Sequence, residues 1–124
     1  SRDRAEEIVS TLINIWNLAY QVAKSNNHEF IAVLQPVAFI GNPKTSHLAL
    51  GTEINNEIKK QYDTIYPMIL NKKEKFNFPF IDLTSSIDAS DYMYIDFSHL
   101  SHKGNEKVAE NLIFKIKKVS NYLD

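Results

Sequence analysis

The stretch EFIAVLQP, residues 29–36, decides the fold class of this chain. Residues 30–34 are all apolar, and both Ile31 and Val33 are β-branched. A short apolar run of this kind is typical of a strand that is buried on both faces, as in a parallel sheet. Pro36 cannot donate a hydrogen bond to a neighbouring strand, so we expect the strand to end there.

Amphipathic helices are predicted on both sides of this strand. Residues 4–25 carry apolar side chains at helical spacing, and Asp3 is the expected N-cap. Residues 50–70 repeat that spacing after a predicted loop at 37–47. Because proline lacks an N–H and its ring crowds the preceding turn, Pro67 is expected to kink the second helix or to end it early.

A second apolar run, FNFPFIDL at residues 76–83, predicts a second strand. A third helix is predicted from about Ser101, with an apolar stripe made by Val108, Ala109, Leu112, Ile113, Ile116 and Val119. The order helix, strand, helix, strand, helix predicts an α/β fold, with a parallel sheet flanked by helices. Two parallel strands rarely form a stable sheet alone. We therefore expect residues 1–124 to be a single partial domain, the later part of a larger one.

Composition and charge exclude several classes of function. The 14 basic and 15 acidic residues are well mixed and give a net charge of −1, so no basic surface for nucleic acid is predicted. The apolar runs are too short for a membrane span. No cysteine is present, which excludes disulfides, thiol nucleophiles and cysteine-based metal sites, and the three glycines form no phosphate-binding motif. We expect no cofactor, and the localisation stays open.

The strongest chemical signal is YIDFSHLSHKGNEKVAENLI, residues 94–113, in which Asp96 and His99 stand three apart. A neutral histidine can take and return a proton near pH 7, and it does so best when a carboxylate holds its other ring nitrogen. Loops after parallel strands are where open α/β sheets place such sites. The pair therefore predicts a general base with its orienting carboxylate, unless Asp96 is an ordinary turn residue before a helix capped by Ser101.

A metal site is the rival interpretation of the same residues. His28, His47, His99 and His102, together with Asp96, offer nitrogen and oxygen ligands. No two histidines share the H-E-x-x-H spacing, so no metal ligand is assigned.

The whole string resembles the C-terminal block of the SGNH (GDSL-like) hydrolases. The matching positions are Asp96, His99, Leu100, Ser101, Gly104, Asn105 and Ala109. The resemblance implies an α/β/α sandwich of the flavodoxin-like type. It also implies that His99 is the general base and that Asp96 orients it. The helix and the two strands upstream are similar in layout to the latter half of that fold.

Other working parts of the family have no counterpart in this sequence. The resemblance implies a serine nucleophile in a G-D-S block, and a glycine and an asparagine that stabilise the oxyanion. Neither G-D-S nor G-x-N-D occurs here, and no residue is assigned to those roles. Acyl transfer needs a nucleophile, a base and oxyanion donors together. We therefore expect the C-terminal part of a serine ester hydrolase, an esterase or lipase, that is inactive by itself.

The alternative function is a non-catalytic α/β binding or assembly module. In either case the expected partly covered sheet calls for a partner, either a second copy of the chain or the missing N-terminal segment. For the hydrolase the remaining partner is a small-molecule or acylated ester. Two residues are predicted near that substrate, namely Phe97, which faces the cleft or wedges the loop, and His47, which lies in the insertion after the first strand.

Overall fold

The computed structural model of the chain describes residues 1–88 and 91–120, and it is broadly α/β, as predicted. Over those residues a two-stranded parallel sheet is combined with three long helices, none of which is long and apolar enough to cross a membrane. The segment TSSIDASDYMY at 84–94, whose turn-forming residues predict a loop, contains residues 89 and 90, which lie outside the described residues. The elements are α1 (Arg2–Ser25), β1 (Ala32–Leu34), α2 (Glu53–Lys72), a single 3₁₀ turn (Lys73–Lys75), β2 (Phe80–Asp82) and α3 (His102–Val119).

Both strands are shorter than the apolar runs that predicted them. β1 pairs in parallel with β2 over three residues, with Val33 opposite Ile81 in the centre of the register. The N–H of Ala32 donates to the carbonyl of Pro79, and the carbonyl of Leu34 accepts from the N–H of Leu83, both at 3.0 Å. A strand is defined by its hydrogen bonds to a neighbouring strand. The apolar residues that flank the three paired residues of each strand therefore have the composition of a strand but do not pair.

The helix ends follow local capping chemistry. α1 begins two residues earlier than predicted, because the side chain of Ser1, and not that of Asp3, accepts a hydrogen bond from the N–H of Arg4. The expectation that Pro67 ends α2 early is wrong, because the helix continues to Lys72. Pro67 and Asp63 are both exposed, so the Asp63 carbonyl that Pro67 leaves without a donor can bind water.

The first core cluster joins α1 and α2 to β1. Its buried members are Val9, Leu34, Val37, Tyr66 and Ile69. Burial raises the pKa of the Tyr66 hydroxyl above its ordinary value. That hydroxyl donates to the carbonyl of Gln35 at 3.2 Å, so α2 is held to the residue that follows β1.

An aromatic group extends the first cluster beneath α1. The Trp16 ring lies 6.3 Å from that of Phe76, 6.1 Å from that of Phe78 and 5.9 Å from that of Phe80, measured between centroids. Ring pairs at such distances add to the stabilisation that burial alone provides. The long helix is therefore seated on the segment that leads into β2.

The second core cluster lies under the start of α3. Ala38, Ile87, Met93 and Tyr94 are buried in it, and Leu100 and Val108 are among the half-buried residues that pack against it. This cluster joins the segment after β1 to the segment before α3, so the connections that leave the two parallel strands pack on each other.

The two edges of the sheet differ. On β2, the Asp82 carbonyl accepts a hydrogen bond from Lys115 of α3. On β1, the polar backbone groups of Ala32 and Leu34 point towards β2, so those of Val33 point to the opposite side, where the described residues provide no strand. The Val33 residue is 36% exposed. One edge is thus covered by a charged side chain, and the other is open.

Candidate active site

Residues 94–100 form a tight hairpin just before α3. Tyr94 and Leu100 make an antiparallel bridge, and the Ile95 N–H donates to the His99 carbonyl at 2.7 Å. Within the turn, Oδ1 of Asp96 accepts hydrogen bonds from the N–H groups of Ser98 and His99, both at 2.8 Å. An aspartate at the start of a turn characteristically bonds the backbone that follows it. These two hydrogen bonds close the turn within the hairpin.

The second oxygen of Asp96 holds the histidine ring. Oδ2 of Asp96 lies 2.7 Å from Nδ1 of His99. Hydrogen bonds from the Ser98 N–H, then from the His99 N–H and then from the His99 ring lower the pKa of Asp96 to about 2. Asp96 is therefore a carboxylate at any pH near neutrality, and it favours the tautomer of His99 with the proton on Nδ1.

The other ring nitrogen of His99 is open. The His99 side chain is 76% exposed, and no hydrogen bond to its Nε2 is made within residues 1–88 and 91–120. In the tautomer that Asp96 favours, Nε2 carries a lone pair. The arrangement can therefore take a proton from a group that approaches from solvent and can hold it on a ring whose positive charge Asp96 stabilises.

The remaining residues of the motif join the hairpin to α3. The Ser101 side chain caps the helix by accepting from the Gly104 N–H at 3.2 Å, as predicted. The Ser101 N–H donates to the Met93 carbonyl at 2.7 Å. A Cβ on Gly104 would lie 2.8 Å from that carbonyl oxygen, so only glycine allows the helix to approach so closely. The spacing from Asp96 to Gly104 thus follows from the close packing of the start of α3 against the hairpin.

Phe97, predicted to face a substrate cleft or to wedge the loop, lies half-buried at the tip of the hairpin. Its carbonyl accepts the Ala38 N–H at 2.8 Å. Its ring stacks on that of Phe39, with centroids 5.6 Å apart and planes 18° apart, and lies 6.2 Å from that of Tyr62. Phe97 therefore connects the hairpin to the segment after β1 and to α2.

His47, the second residue predicted near the substrate, contacts the segment that leads into the hairpin. Its Nε2 lies 2.6 Å from the carbonyl oxygen of Tyr94, and its ring meets that of Tyr92 edge-on at 4.8 Å. Ser46 adds a hydrogen bond of 3.0 Å between its hydroxyl and that of Tyr92. Tyr92 and Ser46 belong to no recognisable motif, so neither was predicted as a residue of the site.

The remaining histidines do not join the pair. His102 is the first residue of α3, its side chain is 91% exposed, and its Nε2 lies 3.1 Å from the Glu106 carboxylate. In the described part of the chain, no three side chains among His, Asp and Glu stand close enough to hold a metal ion. Three surface crevices lie along α1, and neither Asp96 nor His99 lines any of them.

Comparisons with known proteins matched no family model, no curated protein and no solved structure. The case for a function therefore rests on the chemistry and geometry of the hairpin.

Proposed function

We propose that this chain is the C-terminal part of a serine ester hydrolase of the SGNH type, in which His99 is the general base and Asp96 orients it. The observation that supports this most directly is the hairpin itself. Oδ2 of Asp96 is 2.7 Å from Nδ1 of His99, and Nε2 faces solvent. The sequence from Asp96 to Ala109 resembles the corresponding block of that family, and the α/β order suits its α/β/α, flavodoxin-like sandwich.

In the proposed mechanism, Nε2 of His99 takes the proton of a serine hydroxyl while the serine oxygen attacks the ester carbonyl. The imidazolium then gives that proton to the leaving alcohol, and an acyl-enzyme remains. In the second half, His99 takes a proton from water, whose oxygen attacks the acyl group, and the imidazolium then returns that proton to the serine oxygen as the acyl–oxygen bond breaks and the acid leaves. Asp96 stays ionised throughout and stabilises each imidazolium.

The serines nearest to His99 in sequence do not suit the role of nucleophile. The Ser98 hydroxyl lies 3.4 Å from Nδ1, the nitrogen that Asp96 already holds, and not beside Nε2. The Ser101 hydroxyl caps α3. We therefore propose that the nucleophile and the oxyanion donors come from residues outside this sequence, in the same polypeptide or in another chain.

The open edge of β1 is an argument for a partner segment that adds a strand to the sheet. The backbone groups of Val33 point away from β2 and need hydrogen-bond partners, whereas Lys115 covers the opposite edge. Parallel sheets are stable when further strands and helices bury them. A strand of the proposed N-terminal segment added beside β1 would meet both needs.

The test is an esterase assay on a protein that includes the nucleophile segment. His99→Ala should lower turnover of an ester by about 10³-fold or more, because the base is lost. His102→Ala is the matched control, since that exposed imidazole is three residues away and contacts Glu106. Equal activity of the two variants would refute the assignment.

The 124-residue chain alone should not hydrolyse p-nitrophenyl acetate above the rate of its His99→Ala variant. Substantial turnover that His99→Ala abolishes would show that a nucleophile is present within the chain, and it would overturn that part of the proposal.

A non-catalytic assembly module is the second candidate, and a surface feature favours it. α1 exposes an apolar row at spacings of seven, three and four residues, formed by Ile8, Ile15, Leu18 and Val22. Such a row is typical of a helix that packs on a partner. This candidate predicts a dimer in sedimentation equilibrium that Leu18→Glu dissociates and that His99→Ala leaves intact. A chain that stays monomeric at high concentration would refute it.

A further inference from the structure

Residues on both sides of the hairpin turn are exposed, although two of them carry the chemistry. The Ile95 residue is 67% exposed, and the side chains of Asp96 and His99 are 50% and 76% exposed. The base of the hairpin is anchored in the second core cluster by Tyr94 and Leu100. An exposed contact between a carboxylate and a histidine contributes little to its own placement. The position of the tip therefore depends on what holds it from outside.

The segment after β1 provides that hold through Phe97. The Ala38 N–H fixes the Phe97 carbonyl, and the Phe39 ring stacks on the Phe97 ring. The Phe39 ring also lies 6.0 Å from that of Tyr62, and the Tyr62 ring lies 6.2 Å from that of Phe97, so each of the three rings contacts the other two. Phe39 thus links the hairpin to α2 and to the end of β1.

We propose that Phe39 is a positioning residue for the Asp96–His99 pair, which it fixes in place through Phe97. Phe97 lies within the turn that Asp96 closes, so the backbone angles of Phe97 set the direction of the Ser98 and His99 N–H groups. Both groups donate to Asp96. The contact of Phe39 with the Phe97 ring and the hydrogen bond from the Ala38 N–H to the Phe97 carbonyl restrict those angles.

The inference rests on the proposed function only in its consequence for catalysis. A base must stand within hydrogen-bond reach of its nucleophile, and an error of about 1 Å costs on the order of 10²-fold in rate. The nucleophile is proposed to come from another segment. The position of the hairpin relative to the sheet must therefore be fixed, in addition to the conformation of the hairpin itself. The stack of Phe39 on Phe97 fixes that relative position.

The experiment compares Phe39→Ala with Phe39→Tyr and with Phe30→Ala in the 124-residue chain, by NMR. Phe30→Ala is the matched control, because this half-buried ring packs on Phe78, 6.2 Å away, and not on the hairpin. Phe39→Ala should speed hydrogen exchange of the Ala38 amide by about tenfold or more beyond its effect on the α1 amides. It should also raise the pKa of Asp96 from about 2 towards its ordinary 3.8. Phe39→Tyr should restore both values.

A merely structural role predicts a different pattern. Phe39→Ala and Phe30→Ala would then lower thermal stability alike, while the Asp96 pKa and the relative Ala38 exchange stayed as in the wild type. That outcome would overturn the proposal. If Phe39→Ala does not fold, Phe39→Leu removes the ring stack and keeps apolar bulk, and the same two readouts apply. Neither readout needs ester hydrolysis. A result of the His99→Ala esterase assay that refutes the proposed function would therefore leave the test of Phe39 unaffected.

Discussion

Replacing Gly104 by alanine tests how closely α3 must approach the hairpin. The added Cβ would lie 2.8 Å from the Met93 carbonyl oxygen and 3.1 Å from Cβ and Cδ2 of Leu100. An ordinary carbon–oxygen contact needs about 3.3 Å or more, so the helix start or the backbone at Met93 must shift by about 0.5 Å. Overpacking of this kind costs about 1–3 kcal/mol. The higher helix propensity of alanine offsets less than about 1 kcal/mol of that cost. We expect a net loss of about 1–2 kcal/mol.

Thermal unfolding measured by circular dichroism checks the magnitude. A loss of that size should lower Tm by about 3–10 °C for a chain of this length. Gly51→Ala is the matched control, because a Cβ there meets no heavy atom within 4 Å and should leave Tm unchanged or slightly raised. If Gly104→Ala is as stable as Gly51→Ala, the close approach of α3 to Met93 does not constrain the hairpin, and the structural reason given for the motif glycine is wrong.

Two further predictions concern the turn after β1 and the pH response of the hairpin. Gly41→Ala should cost about 2–3 kcal/mol in urea unfolding, because Gly41 has φ +78° and a Cβ would meet the Asp88 carboxylate, which accepts the Asn42 N–H. Surface substitutions usually change the free energy of unfolding by no more than about 0.5 kcal/mol, so a Gly41→Ala variant that differs from the wild type by less than about that amount would contradict this prediction. Asp96 has a lower pKa in the folded chain, about 2, than its ordinary 3.8, so the unfolded chain binds more protons between these values. The stabilisation from Asp96 should therefore be fully present well above pH 3.8 and be lost as the pH falls through about 2. A carboxyl ¹³C titration of Asp96 with a midpoint near 4 would refute it.

The sequence predicted what local contacts determine. α1 and α3 follow from apolar spacing, and the predicted cap Ser101 is confirmed, whereas the cap of α1 is Ser1 and not the predicted Asp3. The contact between Asp96 and His99 is also local, since the two residues are three apart in one turn. The extent of the strands was overestimated, because their length depends on a ladder between residues almost fifty apart, such as Val33 and Ile81.

Contacts between distant segments set the rest of the site, and the sequence does not show them. The stack of Phe97 on Phe39 and the contact of His47 with the Tyr94 carbonyl each join the two connections that leave the sheet. Neither has a spacing rule, because the meeting of two loops depends on how the whole sheet and its helices pack. Of the two effects predicted for Pro67, the early end of α2 is wrong for a different reason: the helix tolerates proline where the carbonyl left without a donor is on its exposed side.

The position of Trp16 gives the chain an optical reporter. It is the only tryptophan in the sequence, and its ring is surrounded by Phe76, Phe78 and Phe80. Its emission spectrum therefore reports whether α1 is seated on the segment before β2, which belongs to the first core cluster. The hairpin packs on the second cluster, so a change confined to the hairpin should leave the fluorescence of the folded chain unaltered. Loss of the Trp16 signal in any hairpin variant would mean that the two clusters unfold as one cooperative unit.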